Sequence, residues 1–150
     1  MTLPPRFRHL AHLNVARMRA ALDAPIMAEF VAQLAAVNQV ADESSGFIWR
    51  MVDDDPNDPA TLSLGECMLV NLSVWTGPQA LADFVYRSAH GPVMRRRREW
   101  FLPHAEPHLV LWWVAAGALP TTAEAVERLR HLREHGPSPW AFTFSSVFPA

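Results

Sequence analysis

Residues 8–15 alternate in polarity: Ala11, Leu13 and Val15 fall on one side of an extended chain, and Leu10, His12 and Asn14 on the other. The period then changes. From Pro25, a residue favoured in a first helical turn, Met27, Phe30, Val31, Leu34, Val37 and Ala41 recur at helical spacing until Ser44-Ser45-Gly46 ends the run. Phe47 to Val52 predicts a short strand carrying Trp49 and Arg50. Residues 53–66 are rich in Asp and Pro and predict a solvated loop. Its carboxylates cluster, but the turn glycine and closing Glu of an EF-hand calcium loop are missing. Cys67 to Trp75 alternates again, with Val70, Leu72 and Val74 on one face and Leu69, Asn71, Ser73 and Trp75 on the other. Gly77-Pro78 opens a second helix that turns Leu81, Phe84 and Val85 inward. Pro92 has no N–H to give a helix and interrupts this one after Gly91; a further helical piece is expected to about Leu102. Residues 108–115 are apolar on both faces, as in a strand covered on both sides. Thr121 and Glu124 form a capping-box pattern, Val126, Leu129 and Leu132 a buried stripe, and Gly136-Pro137 a stop. Ala141 to Phe148 is a last extended segment.

The order β-α-β-β-α-β, then α-β, is that of an α+β protein. Its first six elements make the ferredoxin-like split βαβ arrangement, to which a C-terminal αβ is added. A chain of 150 residues fits one domain, 1–150. Two helices cover one face of such a sheet. Large apolar groups also occupy the other face, as Leu109, Leu111 and Trp113 against Val110, Trp112 and Val114 illustrate. A second subunit packed sheet to sheet is the expected cover, so the chain reads as a homodimer.

Charge narrows the functions. Thirteen basic and fifteen acidic side chains leave a net charge of -2, which argues against a nucleic-acid partner. Every basic residue is Arg, so Schiff-base chemistry and a P-loop lysine are excluded. Cys67 is the single cysteine, expected to be buried and inert where a strand begins. No apolar run approaches about 20 residues and no apolar stretch follows Met1, so no membrane partner and a cytoplasmic location are expected.

Several blocks resemble one family. Asn71-Leu72-Ser73-Val74-Trp75, Phe84-Val85-Tyr86-Arg87-Ser88-Ala89-His90, the stretch from Arg95 to Phe101, Glu106 to Val114 and Gly136-Pro137-Ser138-Pro139 are similar to an uncharacterised bacterial family, domain of unknown function 3291. The resemblance runs from His9 to Pro149. It implies membership of the dimeric α/β-barrel superfamily, which includes antibiotic-biosynthesis monooxygenases, haem-degrading monooxygenases, dye-decolourising peroxidases and muconolactone isomerases. Leu72 to Phe84 is also similar to the strand-to-helix segment of the haem-degrading enzymes. Those place an Asn on the first strand, a Trp on the helix and a haem-ligating His further along. The resemblance puts Asn14 at the first position and Phe84 at the second, and makes His90 the nearest candidate for the third.

The residues themselves propose a site. His90, at a helix break, is a candidate haem-iron ligand or proton-transfer residue, or else caps the break. Arg97 falls in the stripe of Val93, Met94, Trp100 and Phe101 and needs a partner if buried: a ligand anion or a protein carboxylate. Arg87 offers the same choice. Arg95, Arg96 and Arg98 read as a solvated face. Asn14, His12, Asn71, Ser73 and Trp75 share one face of two neighbouring strands and suggest a pocket lining or a hydrogen-bonded dimer seam. His131 and His135 stand at i and i+4, but their place in the last helical turn favours a dipole role over a metal. The expected site therefore has His90, Arg87 and Asn14 as its chemical residues and Asn71, Trp75, Phe84 and Arg97 as binding residues. Three functions compete for it. The first is a monooxygenase-type small-molecule enzyme, with haem as its possible cofactor. The second is a cofactor-free oxygenase or isomerase acting on a polycyclic or quinone-like substrate. The third is a non-enzymatic module that binds a small molecule.

Overall fold

The structure, a computed structural model, describes residues 8–52, 55–89 and 91–150. Its strands are β1 (Arg8–Arg17), β2 (Phe47–Arg50), β3 (Met68–Trp75) and β4 (Leu109–Ala115), and its helices are α1 (Ala28–Asp42), α2 (Pro59–Leu62), α3 (Pro78–Ala89), α4 (Pro92–Arg95), α5 (Arg97–Trp100) and α6 (Thr122–His135). The strands form one sheet in the order β2-β3-β1-β4, antiparallel throughout. This is the ferredoxin-like order that the split βαβ pattern predicts.

Register divides the sheet into two faces. Leu10 pairs with Trp75 and Trp113, His12 with Ser73 and Leu111, and Asn14 with Asn71 and Leu109. These residues lie beneath α1 and α3, with Leu81 and Ala41 packed near Leu10 and Trp75. On the opposite face, Ala11, Leu13 and Val15 join Val70, Leu72, Val110 and Trp112 against Ala125, Leu129 and Leu132 of α6.

The second face is thus covered by the chain's own C-terminal helix. The stripe on that helix packs its apolar side chains against β1 and β4.

Local signals set the element ends. Thr121 Oγ1 accepts from Glu124 N at 3.1 Å to start α6, and Gly136, at φ 75°, ends it. Only half of a capping box forms, because the Glu124 carboxylate accepts from Trp112 Nε1 instead, at 3.3 Å. Asp58 Oδ1 accepts from Ala60 N at 2.8 Å, with Pro59 at the first helical position, so one turn of helix (α2) forms inside the expected loop. Gly46, at φ 83°, brings the turn after α1 so near α3 that an added Cβ would lie 2.5 Å from the Ala80 Cβ. The chain does break around Gly91-Pro92, but beyond it α4 and α5 are single turns separated at Arg96, not one helix. Val31 and Val85, expected inward, are exposed. Cys67 is exposed too, correcting the expectation of a buried thiol. It precedes β3 in left-handed backbone (φ 53°), and its carbonyl accepts from Met18 N at 2.8 Å. The C-terminal extended segment makes one reciprocal pair with the outer edge of β4, Leu111 N to Phe142 O at 2.8 Å and Phe142 N to Leu111 O at 2.9 Å. At the other edge β2 is four residues long and shifts register between Phe47 and Trp49. Among the described residues, no helix is long and apolar enough to cross a membrane.

Candidate active site on the helical face

The face beneath α1 and α3 is not uniformly apolar. At one end, Leu10, Trp75, Leu81, Leu111 and Phe142 are buried together; at the other, Met18, Met27, Phe30 and Trp100 form a separate cluster. Between them lies the Asn14–Asn71 pair. Asn14 is half-buried and Asn71 is exposed, although both sit on the two central strands. Central strand positions are ordinarily covered. The exposed amide shows a gap, or trough, in the cover over this part of the sheet, beside half-buried Asn14 and its half-buried neighbour Leu109 on β4.

One row along, towards Trp75, the trough meets a chain of polar groups. Trp75 Nε1 donates to Ser73 Oγ at 2.9 Å, and Ser73 Oγ lies 3.0 Å from His12 Nδ1. His12 is only 7% exposed. Burial without an opposite charge disfavours the imidazolium and pushes its pKa down to about 4. The ring is therefore neutral near pH 7. Trp75 is held on both sides: Phe84 of α3 stacks on it at 5.1 Å and 25° between planes, and Phe47 meets it edge-on at 5.5 Å.

The expected site residues are placed unevenly. Asn14 and Asn71 come together as expected. Trp75 and Phe84 also meet, but as a packed wall: Trp75 is 1% exposed and shows the trough no free ring face. Arg87 is exposed, donates to Ser44 Oγ at 2.9 Å, and lines a groove of about 370 Å³ with Ser45, Asp83 and Tyr86. Arg97 is exposed as well, which corrects its place in the buried stripe. The interruption at Arg96 (φ -102°, ψ 10°) resets the helical phase. Arg96 is the half-buried cation instead. It lies 4.8 Å from the Trp100 ring centroid and pairs with Glu99 at 2.6 Å and with Glu29, which hold its proton more tightly. His90 lies outside the described residues.

Two residues of this site, His12 and Ser73, stood on the polar face in the sequence but outside the chosen constellation. Their pairing across β1 and β3 was the signal. Two other histidines, His104 and His108, stack at 3.6 Å with planes 5° apart, beyond the trough. Desolvation lowers both pKa values; Arg133 adds to it for each, and His108 for His104. Among the described residues no group of three His, Cys, Asp or Glu side chains is placed to hold a metal.

A haem does not fit what is described. Phe84, at the position that the resemblance gives to the helix Trp, stacks directly on Trp75. Helix and sheet are in contact there, with no slot of porphyrin width between these two rings.

Comparison with known proteins agrees with the fold. SnoaB, a cofactor-independent oxygenase from Streptomyces nogalater, superposes with a TM-score of 0.50 at 18% identity, over 75% of this chain and 98% of that one. A protein of unknown function from Nitrosomonas europaea, NE2512, gives 0.46 at 12% identity, over 77% and 96%. No curated protein sequence matches. The likeness to SnoaB is one of fold, and it holds over nearly all of that protein. One family's sequence profile covers residues 9–150, almost the whole of this chain, which belongs to the family known as domain of unknown function 3291.

Proposed function

We propose that the protein is a cofactor-independent oxygenase whose small-molecule substrate lies in the trough over Asn14 and Asn71. The observation that carries this reading is the exposed Asn71 beside half-buried Asn14 at the centre of the sheet, next to the buried His12–Ser73–Trp75 chain. Apolar clusters at both ends of the trough suit a ring system; the amides and the imidazole suit its oxygen atoms. The fold likeness to SnoaB supports the oxygenase class by analogy.

Without a cofactor, the electrons that reduce O2 come from the substrate. A CH2 group acidified by a conjugated ring carbonyl loses a proton and is oxidised to C=O. One oxygen atom enters the new carbonyl and the other leaves as water. The protein's share is to orient the ring and stabilise the charge that develops on its oxygen.

Oxygen uptake by chelator-treated protein with a panel of hydroxylated anthrones tests the proposal. Uptake matched by one carbonyl product, and lost in Asn14→Leu, is expected. A rise in melting temperature with no product would replace the oxygenase by a binding module, and an isomeric product without oxygen uptake would replace it by an isomerase.

A further inference from the structure

We infer that Ser73 locks His12 as the tautomer protonated at Nε2, making the site a hydrogen-bond donor for a planar, largely apolar ligand that carries a carbonyl or oxyanion oxygen. The inference deepens the reading above, since it rests on the trough being the binding site.

The hydrogens available to the three side chains fix the direction of each bond. An indole N–H can only donate, so Trp75 occupies one lone pair of Ser73 Oγ. The Ser73 hydroxyl has one hydrogen, and among the described residues its other partner is His12 Nδ1. If the hydroxyl donates to Nδ1, every hydrogen in the chain is used and the ring proton must sit on Nε2. If Nδ1 carried the proton, Ser73 would accept twice and its own hydrogen would have no protein acceptor among the described residues. A cationic ring would have the same fault and would add a buried charge. The chain therefore runs one way, from Trp75 through Ser73 to His12.

Strand parity puts the imidazole on the helical side of the sheet, and Nε2 is the ring nitrogen farther from the backbone. One row along from His12 stand Asn14 and Asn71, with Leu111 and Leu109 beside them on β4. Along these rows on β1, β3 and β4 the face presents the imidazole N–H, two amides able to donate, and apolar carbons, with no carboxylate. Such a lining recognises an acceptor oxygen on an apolar frame. It also assigns roles. With its Nδ1 lone pair in use and its Nε2 protonated, His12 is a donor to an enolate or phenolate oxygen, not the base that creates it, and Ser73 is its positioning residue.

Nitrogen NMR of 15N-histidine-labelled protein at pH 7, with His12 assigned through its own backbone resonances, reads the tautomer directly. The expected signature is a protonated Nε2 and a bare Nδ1, retained in Ser73→Thr and averaged between tautomers in Ser73→Ala. A proton on Nδ1 in the unsubstituted protein overturns the inference whatever the variants do. For the ligand class, fluorescence titrations compare 9-fluorenone with fluorene, which lacks the oxygen. The ketone should bind about tenfold more tightly, and His12→Phe should reduce that preference below about threefold. Equal affinities overturn the ligand assignment. Ketone preference without oxygen uptake keeps this inference and removes the oxygenase; oxygen uptake with the proton on Nδ1 does the reverse.

Discussion

The two faces of the sheet are built from the same strands and do different work. Beneath α6 the apolar residues of β1, β3 and β4 form one continuous cluster with the helix. Beneath α1 and α3 the apolar residues split into two clusters with a polar row between them. A continuous face gains the full transfer free energy of its side chains and leaves no room for a ligand. A split face gives up part of that stabilisation and gains a trough. The α6 face should therefore govern stability, and the helical face function.

The largest effect should come from the α6 face. Leu129 is fully buried at its centre, and Leu129→Ala should cost about 2–5 kcal/mol in urea denaturation. A cost below about 1 kcal/mol would mean that the continuous cluster is not what holds the sheet.

Acid should act on the other face. The folded pKa of His12, about 4, is below its unfolded value of 6.5, so the unfolded chain takes up the proton first as pH falls. Stability is then full above pH 6.5 and is lost as pH falls towards 4, by up to about 3 kcal/mol. His104 and His108 shift in the same direction. His12→Leu should accordingly flatten most of the slope between pH 6.5 and 4, leaving the shallower part due to that pair. An unchanged slope would show that His12 is not buried as neutral imidazole.

The smallest change in stability should accompany a large change in function. Asn71 is exposed, so Asn71→Leu should stay within about 0.5 kcal/mol of the parent while weakening ligand binding or oxygen uptake at least about tenfold. Full activity in that variant would remove the trough as the site and leave the two faces distinguished by packing alone.

Much of this contrast is legible in the sequence. Strand parity assigned His12, Asn14, Asn71, Ser73 and Trp75 to one face, and the split βαβ order placed β1 beside β3. Parity cannot say which face a later helix will cover. The stripe of Val126, Leu129 and Leu132 announces a buried helix, but its docking on the Leu13 side depends on chain path. Helical spacing carried through Arg96 puts Arg97 in the buried stripe, but the backbone of Arg96 is not helical. Trp75 reads as a pocket wall until Phe47 and Phe84 are seen to enclose it, a contact between residues 28 and nine positions away in the chain that no local pattern encodes. In contrast, the single turn at Pro59 was signalled by Asp58 before it, a capping side chain lodged in what reads as plain loop.

The pairing of Leu111 with Phe142 has a consequence for how copies of the chain meet. A sheet grows by recruiting strands at its margins, and both margins here are poor templates. On the β4 side the chain's own tail holds both main-chain groups of Leu111, so an incoming strand must first break that pair. On the β2 side only four residues are on offer, and a register shift kinks them. Lengthening of the sheet by a neighbouring copy, the usual route from a native β-sheet to a fibril, is thereby discouraged at each end.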